Sequence, residues 1–198
     1  MNDNYFDSKE YTKIDFTKTN INKGEYDNCT FVNCDFQSIH VSNIQFLECK
    51  FIDCNFSNAT IKGTSFKEVN FINCKMIGIK FNEVHPFLLQ LSFKECQLNF
   101  SSFYQLKIQN TKFISCNLEE VDFTETVATD CIFENSNLKG AIFEHSNLEK
   151  SDFRMALNFN INPGINRLKG AKFSSQNLFG LLSAYKIICI SVNIPNYN

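Results

Sequence analysis

Large apolar side chains recur at every fifth position along most of this chain, and a small residue stands two places before each of them. The segment FLECKFIDCNF, which begins at Phe46, illustrates the pattern. Phe51 and Phe56 continue the series, and Cys49 and Cys54 precede them by two places. An amphipathic helix repeats about every 3.6 residues and a strand about every 2, and neither period divides five. The pattern therefore predicts neither a long helix nor regularly alternating strands.

The five-residue pattern extends over most of the sequence. If the large residue of each five is called the centre, centres run from residue 11 to 81 and slip by two places at 84–91. They continue from 93 to 153 and return at 168–178. Seventeen of the 22 phenylalanines are centres. Because the same pattern recurs on both sides of each break, we expect one domain.

This repeat resembles that of the pentapeptide-repeat family, whose consensus has a small residue two places before a central Leu or Phe. The resemblance covers about residues 11–180. It implies the fold of that family, an all-β, right-handed quadrilateral β-helix in which each pentapeptide forms one wall and four form one coil. In such a solenoid each coil buries its apolar ring against the neighbouring coils.

The spacing of identical residues supports four walls independently of the resemblance. Centres on one wall should recur at every fourth pentapeptide, with two more places across the slip, and one such column contains only phenylalanine. Coils stack at roughly the strand spacing of 4.8 Å, so about eight coils give a rod on the order of 40 Å long. The members of the column are Phe31, Phe51, Phe71, Phe93, Phe113, Phe133, Phe153 and Phe173.

Three segments are expected along the rod. Residues 1–10 should form an N-terminal cap, with Tyr5 and Phe6 folded over the open first coil to cover its strand edges. Residues 11–180 should form the β-helix, with breaks near 84–92 and 157–167, where Pro86 and Pro163 interrupt the pattern. Residues 181–198 should form a C-terminal cap and dimerisation tail.

The C-terminal tail is the predicted dimer interface. A short helix, capped by Ser174 or Ser175, should precede an apolar strand at 187–192. Because an apolar terminal cap often meets a symmetric partner, we predict a homodimer joined tail to tail, with a purely intramolecular cap as the alternative. The predicted interface residues are Leu178, Leu181, Leu182, Tyr185, Ile187, Ile188 and Ile190.

Candidate catalytic and metal-binding residues are not arranged as a site. Eight of the nine cysteines stand two places before a centre, where the tube needs a small apolar group, so we predict that all nine thiols are free. The spacing of the cysteines is not that of a zinc site. His40, His85 and His145 lie on separate coils. We therefore expect no metal, no cofactor, no small-molecule substrate and no enzymatic activity.

The N-terminal sequence MNDNYFD lacks the basic and apolar regions of a signal peptide. A membrane-spanning helix needs about 18 or more apolar residues, and the sequence contains no such run. We therefore expect a cytoplasmic protein that does not interact with a membrane.

Charge is unevenly distributed, although the whole chain carries a formal charge of only −2. Residues 117–152 contain nine acidic and two basic residues, giving −7, whereas residues 153–198 contain five basic and no acidic residues, giving +5. We call the nine acids the acidic band. They are Glu119, Glu120, Asp122, Glu125, Asp130, Glu134, Glu144, Glu149 and Asp152.

The acidic band has two interpretations from sequence. It spans about two coils, or roughly 9 to 10 Å, over which duplex DNA carries between about five and six charges. The band therefore matches DNA in linear charge density. The simpler interpretation is an ordinary solvated surface. Direct DNA binding through the basic C-terminal region is a third possibility, which we do not favour because those bases lie near the predicted dimer interface.

Some pentapeptide-repeat proteins protect DNA gyrase or topoisomerase IV, namely the Qnr, MfpA, microcin-immunity and albicidin-immunity types. The chain looks closest to the microcin-immunity type, because it shares a mid-chain break with a proline and the stretch INPGINR at 161–167. The resemblance implies a non-enzymatic, DNA-mimicking protein. Such a protein binds a type II topoisomerase and protects it from a toxin or quinolone-like inhibitor. The alternative is a scaffold rod of unrelated purpose.

The mid-chain break is the second candidate contact. The loop residues His85, Pro86, Phe87, Leu88 and Leu89 are more apolar than a solvated loop requires. A bulge that packs on one wall would explain them. Alternatively, they form a partner-binding loop, because loops on rigid scaffolds often carry function.

Overall fold

The structure is a computed structural model that describes residues 4–185 and residue 187. The chain winds as a four-sided β-helix in which every strand pairs in parallel with the strand one coil away. Phe51 aligns with Phe71, and Phe71 aligns with Phe93 across the slip. The sequence predicted both of these alignments.

The strands belong to two parallel sheets. The first sheet contains β1 (Asn4–Asp7), β3 (Gly24–Asp27), β5 (Gln45–Leu47) and β7 (Ser65–Lys67). The second contains β2 (Glu10–Thr12), β4 (Thr30–Val32), β6 (Lys50–Ile52), β8 (Val69–Ile72), β9 (Leu91–Lys94), β10 (Lys112–Ile114) and β11 (Ile132–Glu134). A 3-10 turn covers Phe81–Glu83, helix α1 covers Phe179–Leu182, and a second 3-10 turn follows at Ser183–Tyr185.

The four sides of the tube are named walls A to D in chain order. Wall A holds the four-stranded sheet, and wall B holds the seven-stranded sheet. Wall C follows wall B and is joined by single bridges such as that between Asn117 and Asn137. Wall D follows wall C and includes the bridge between Ser102 and Asp122. Each wall is only a few residues wide because a turn follows every centre.

Stacked aromatic rings fill the tube along wall B. Neighbouring rings lie 4.6 to 5.4 Å apart between centroids and within 12° of parallel. Because each ring belongs to a different coil, the column passes through nine coils, slightly more than the about eight expected. Its members are Tyr11, Phe31, Phe51, Phe71, Phe93, Phe113, Phe133, Phe153 and Phe173.

The corners of the tube are turns with a left-handed residue two places after the centre. At one such corner the Ala59 N–H donates to the Phe56 carbonyl at 2.9 Å, and Asn58 between them has φ 57°. Asn and Gly tolerate this conformation best. This preference explains why Asn recurs at the corners and why Gly78 stands at the next corner of the same column, with φ 72°.

The residues two places before the centres donate hydrogen bonds to the preceding coil. The Cys74 thiol lies 3.3 Å from the Phe51 carbonyl oxygen, and the Thr126 hydroxyl lies 2.7 Å from that of Phe103. Cys, Ser and Thr can therefore occupy the same position. The eight cysteines that the structure describes are buried and free, as predicted for them, and Cys189 lies outside the described residues.

The first coil begins before residue 11, where the sequence pattern predicted its start. Phe6 does not fold over the end of the tube; its ring stacks on Tyr26 at 4.5 Å, and β1 pairs with β3. Tyr5 points outward, and its hydroxyl donates to Asp27 at 2.9 Å. The reason is spacing, because Phe6 stands four pentapeptides before Tyr26 and so continues the same column.

The break at 84–91 is confined to wall A. The His85 N–H donates to the Thr64 carbonyl at 2.9 Å, and the Gln90 N–H donates to that of Phe66 at 3.1 Å. The chain thus leaves the tube and returns to it at fixed points. Walls B and C continue without interruption.

The second break is closed by residues from the C-terminal segment. The Phe159 ring is buried and lies 5.9 Å from Phe153 and 5.5 Å from Phe173. The Ile161 N–H donates to the Gly180 carbonyl at 2.8 Å, which fixes helix α1 against the last coils.

Helix α1 begins later than expected and is not capped by a serine. Its N-cap is Leu178, which makes no side-chain capping hydrogen bond. Instead, the Ser174 N–H donates to the Asn177 side chain at 3.1 Å, and the Asn177 amide donates to the Phe153 carbonyl at 2.9 Å. The expectation that Ser174 or Ser175 begins the helix was wrong, because Asn177 organises this turn. The strand expected at 187–192 falls, apart from its first residue, outside the described residues.

Candidate functional site

The interior of the tube is filled by side chains, so candidate sites lie on its outer surface. The centres from Phe31 to Leu148 have almost no exposure. Among the described residues, no three His, Cys, Asp or Glu side chains converge in a way that could hold a metal ion. None of the helices found there is long and apolar enough to cross a membrane.

The structure distributes the acidic band over all four walls. Glu119 lies on wall C, and Asp130 and Glu149 lie on wall A or its corner. Glu134 and Asp152 lie on wall B, where Asp152 bridges to Ile132. The other four acids face outward from wall D or its corners, and we call them the wall D acids: Glu120, Asp122, Glu125 and Glu144.

Three acids of the band are neutralised by neighbouring bases. Lys139 lies 2.9 Å from Glu119, and Arg167 lies 2.9 Å from Glu149. Arg154 lies 2.6 Å from Asp152, and its hydrogen bonds lower the pKa of that carboxyl below its ordinary value. These three carboxylates already have cationic partners and are poorly placed to attract another.

The wall D acids form no ion pair within the part of the chain that the structure describes. Neutral groups hold two of them in place. The Gln105 amide donates to Glu125 at 2.8 Å, and the Thr124 N–H donates to Asp122 at 2.9 Å. Lys139, which pairs with Glu119, also acts electrostatically on Glu120. Among the described residues no base pairs directly with a wall D acid, so wall D of these coils presents net negative charge.

The loop His85–Leu89 packs on the tube through one residue and exposes the others, and its role in partner binding stays a prediction. Leu89 packs against the core, as in a wall-packing bulge. Phe87 and Leu88 are 62% and 63% exposed, and Leu88 has a left-handed φ of 55°. His85 and Pro86 are also exposed, and the His85 ring accepts a 3.3 Å hydrogen bond from the Phe87 N–H.

A groove of about 590 Å³ lies beside this loop. Leu47, Lys67, Leu89 and Gln109 line part of it. The Lys67 ammonium lies 6.0 Å from the Phe87 ring centroid. The loop therefore presents two apolar side chains next to a surface depression.

The C-terminal end of the rod is apolar and exposed. Leu178 is 43% exposed, Tyr185 is 54% exposed and Ile187 is 55% exposed. Leu181 and Leu182 are half-buried, and Leu181 packs on the core. Ile188 and Ile190 lie outside the described residues, so the predicted interface is only partly visible.

Sequence reasoning missed two exposed aromatic residues on wall D. Phe100 is 59% exposed and Tyr104 is 37% exposed. They lie one coil before the wall D acids. A signal was present in the sequence, because Phe100 is one of the few phenylalanines that are not centres.

Comparison with known proteins supports the fold. A trypsin-treated variant of QnrB1, described as a plasmid-mediated fluoroquinolone resistance protein, is 12% identical and superposes with a TM-score of 0.71. That match covers 95% of this chain and 92% of the other. A second trypsin-treated QnrB1 variant is 14% identical, with a TM-score of 0.62 over 94% of this chain and 100% of the other. At such low identity the likeness concerns the fold alone.

The sequence itself identifies the family. No curated protein matches the chain. The profile of the pentapeptide repeat region, however, matches residues 24–103 and 85–153, which together span more than half of the sequence. The chain therefore belongs to the pentapeptide-repeat family.

Proposed function

We propose that the protein is a non-enzymatic, DNA-mimicking rod. It binds a type II topoisomerase, either DNA gyrase or topoisomerase IV, and protects the enzyme from a toxin or quinolone-like inhibitor. The observation that carries the proposal is the net negative charge on wall D of a stiff, narrow rod. The fold shared with QnrB1, which is described as a fluoroquinolone resistance protein, supports the choice of a quinolone-like inhibitor. The proposed site of action is the cytoplasm.

The number of unpaired carboxylates agrees with mimicry of a DNA segment. Of the nine acids in the band, three are in ion pairs among the described residues, which leaves six: the four wall D acids, Asp130 and Glu134. Duplex DNA carries between about five and six charges over the length of the two coils. Carboxylates held at phosphate-like density on a rigid surface would meet the Lys and Arg side chains of a DNA-binding groove. The resulting affinity should fall steeply with salt.

The remaining exposed surfaces have supporting roles in this proposal. Phe87 and Leu88 would add an apolar contact at mid-rod, where a rigid loop stands beside a groove. The apolar C-terminal end would join two copies and so lengthen the rod. If that end only caps its own chain, the protein would act as a monomer.

The direct test is a supercoiling assay with gyrase and increasing amounts of the protein, with and without a fluoroquinolone or a microcin-type inhibitor. Binding of the wild type should weaken steeply between about 50 and 300 mM salt. Charge reversal of Glu120, Asp122 and Glu125 to Lys should abolish binding while leaving the fold intact.

The matched control reverses three exposed acids in the first coils that do not line the groove, Asp7, Glu10 and Glu48. This variant has the same change in net charge and should still bind. Equal loss in both variants would show a nonspecific charge effect and contradict the proposal. Salt-independent binding would also contradict it.

A scaffold of unrelated purpose is the second candidate. The exposed loop and the apolar end favour it, because both are suited to contacts that need no DNA mimicry. In that case topoisomerases would neither bind the protein nor be protected by it. Replacing Phe87 and Leu88 with Ser would then remove the protein's partner from a pull-down, whereas the wall D reversals would not.

A further inference from the structure

Phe100 and Tyr104 stand in the same outward-facing grid as the wall D acids. Residues four pentapeptides apart occupy the same position in successive coils, so Phe100 is followed by Glu120, and Tyr104 is followed by Thr124 and then Glu144. Hydrogen bonds fix this arrangement. The Phe100 N–H donates to the Glu119 carbonyl at 3.1 Å, and the Phe103 N–H donates to that of Asp122 at 2.8 Å.

The side chains of Phe100 and Tyr104 are exposed and do not fill the interior of the tube. Phe100 is 59% exposed and Tyr104 is 37% exposed, and Ile142, which bridges to Asp122, is 45% exposed. These apolar groups and the four acids share one face. The face therefore offers both apolar contact area and negative charge.

The backbone at Phe100 shows that this aromatic residue is unusual for its position. Phe100 has a left-handed φ of 60°, a conformation that a bulky side chain adopts only at a cost. The same corner is occupied by Asn58 and Gly78 in earlier coils and by Gly140 later, all with positive φ. The Phe100 ring is exposed, so burial of the ring does not offset the cost of the left-handed conformation.

We infer that wall D docks an arginine-bearing segment of the partner, with Phe100 and Tyr104 stacking against guanidinium groups that the wall D acids neutralise. The inference rests on the proposed function, since it names the chemistry by which the same face would recognise a basic partner. The wall D acids attract a cation, and the exposed rings favour a planar cation that can stack on them.

The geometry favours arginine over lysine. A planar guanidinium can lie over an aromatic ring and still form paired hydrogen bonds with a carboxylate at its edge, whereas an ammonium is a compact, strongly hydrated point charge. A cation interacts with a ring within about 6 Å of the centroid, and successive coils are roughly 4.8 Å apart. One guanidinium can thus contact the Phe100 ring and the Glu120 carboxylate in the next coil.

The chain does not supply such a cation itself within the described residues. Lys80 occupies the wall D position one coil before Ser102, but its ammonium lies 3.9 Å from Glu83. Lys139 pairs with Glu119 on wall C. The rings and acids of wall D are therefore available to a partner.

The experiment compares two peptides of equal charge, fluorescently labelled octa-arginine and octa-lysine, binding to the full chain. Fluorescence anisotropy at low salt should show several-fold tighter binding of octa-arginine. The test variant combines Phe100→Asn with Tyr104→Thr, because Asn is common at these corners and Thr124 occupies the Tyr104 position in the next coil. It should fold normally.

This double variant should lose about tenfold in affinity for octa-arginine and change little toward octa-lysine. The control, Met155→Ala, removes an exposed apolar side chain near wall B, 58% exposed, and should change neither affinity. Equal affinities for the two peptides would overturn the inference. So would an octa-arginine affinity that the double variant leaves unchanged.

Topoisomerase binding separates this inference from the proposed function. If the wild type prefers octa-arginine through the two rings but binds no topoisomerase, the proposed function fails and the arginine-binding face stands. If the wild type binds gyrase in a salt-sensitive manner and the double variant binds it equally well, the inference fails and the proposed function stands.

Discussion

Phe113 lies in the middle of the ring column, where truncation should be most damaging. Its ring stacks between Phe93 at 5.2 Å and Phe133 at 5.1 Å and meets Phe103 and Phe123 edge-on. Replacing a buried Phe with Ala costs about 3 to 5 kcal/mol. Each aromatic pair contributes about 0.5 to 1.5 kcal/mol beyond its buried area. We therefore expect Phe113→Ala to lower the free energy of unfolding by about 5 kcal/mol.

Urea denaturation followed by far-ultraviolet circular dichroism measures this loss, since the chain has no tryptophan to report by fluorescence. Each coil contacts only its neighbours, so the stability of a solenoid is nearly a sum of local terms. A defect at the centre should also weaken the coupling between the two halves of the rod. The variant should accordingly unfold over a broader range of urea or in two steps.

Phe173→Ala is the matched control at the end of the same column. Phe173 is only partly buried and stacks on a single column neighbour, Phe153, at 5.3 Å. Its truncation should cost about 1 to 2 kcal/mol and leave the transition as sharp as in the wild type. If the two variants lose the same free energy of unfolding, a ring stacked on both sides contributes no more than a ring at the end of the column, and the reasoning is wrong.

Three further predictions concern a helix contact, a corner and a thiol. Gly180→Ala should detach helix α1, because the new Cβ would lie within 2.5 Å of the Phe159 carbonyl oxygen and closer still to the Phe159 ring. Limited proteolysis should then cut the C-terminal segment faster than in the wild type. An unchanged rate of cleavage would contradict this prediction. Phe100→Asn should raise the free energy of unfolding by about 1 kcal/mol by relieving the left-handed conformation, whereas a loss would show that the ring stabilises the fold. Burial raises the pKa of the Cys131 thiol to about 12, against about 8.5 when unfolded. The folded protein holds this thiol protonated, so its contribution to stability is complete below about pH 8.5 and is lost as the pH rises and the unfolded chain ionises. At pH 10 this loss lowers the free energy of unfolding by about 2 kcal/mol. Cys131→Ser should remove that loss, so the Tm of the variant should fall less between pH 7.5 and pH 10 than the Tm of the wild type.

The repeat made most of the fold predictable from sequence. The spacing from Phe31 to Phe173 located wall B and its column of rings, and the position of Cys74 two places before a centre predicted a buried, free thiol. These features follow from local rules that every coil repeats. Phe6 was predicted to form a cap because a residue at the end of the repeat has neighbouring coils on one side only.

The surface was less predictable than the core. Summing charge over residues 117–152 identified an acidic region, but the sum could not show that Glu119 faces Lys139 one coil away, or that Glu149 faces Arg167. Such contacts depend on which wall each residue occupies. Phe100 was overlooked because outward positions tolerate almost any residue, and only the corner geometry shows that an aromatic side chain is costly there.

The break on wall A makes this corner of the rod tolerant of changes in chain length. The slip lengthens the chain between Phe71 and Phe93, yet their rings still stack at 5.4 Å, because the added chain bulges outward and returns at Gln90. Closing a longer loop there costs only about 0.6 kcal/mol for each doubling of its length. An epitope or recognition peptide grafted between Pro86 and Leu88 would therefore be displayed at mid-rod while the coils on both sides stay in register.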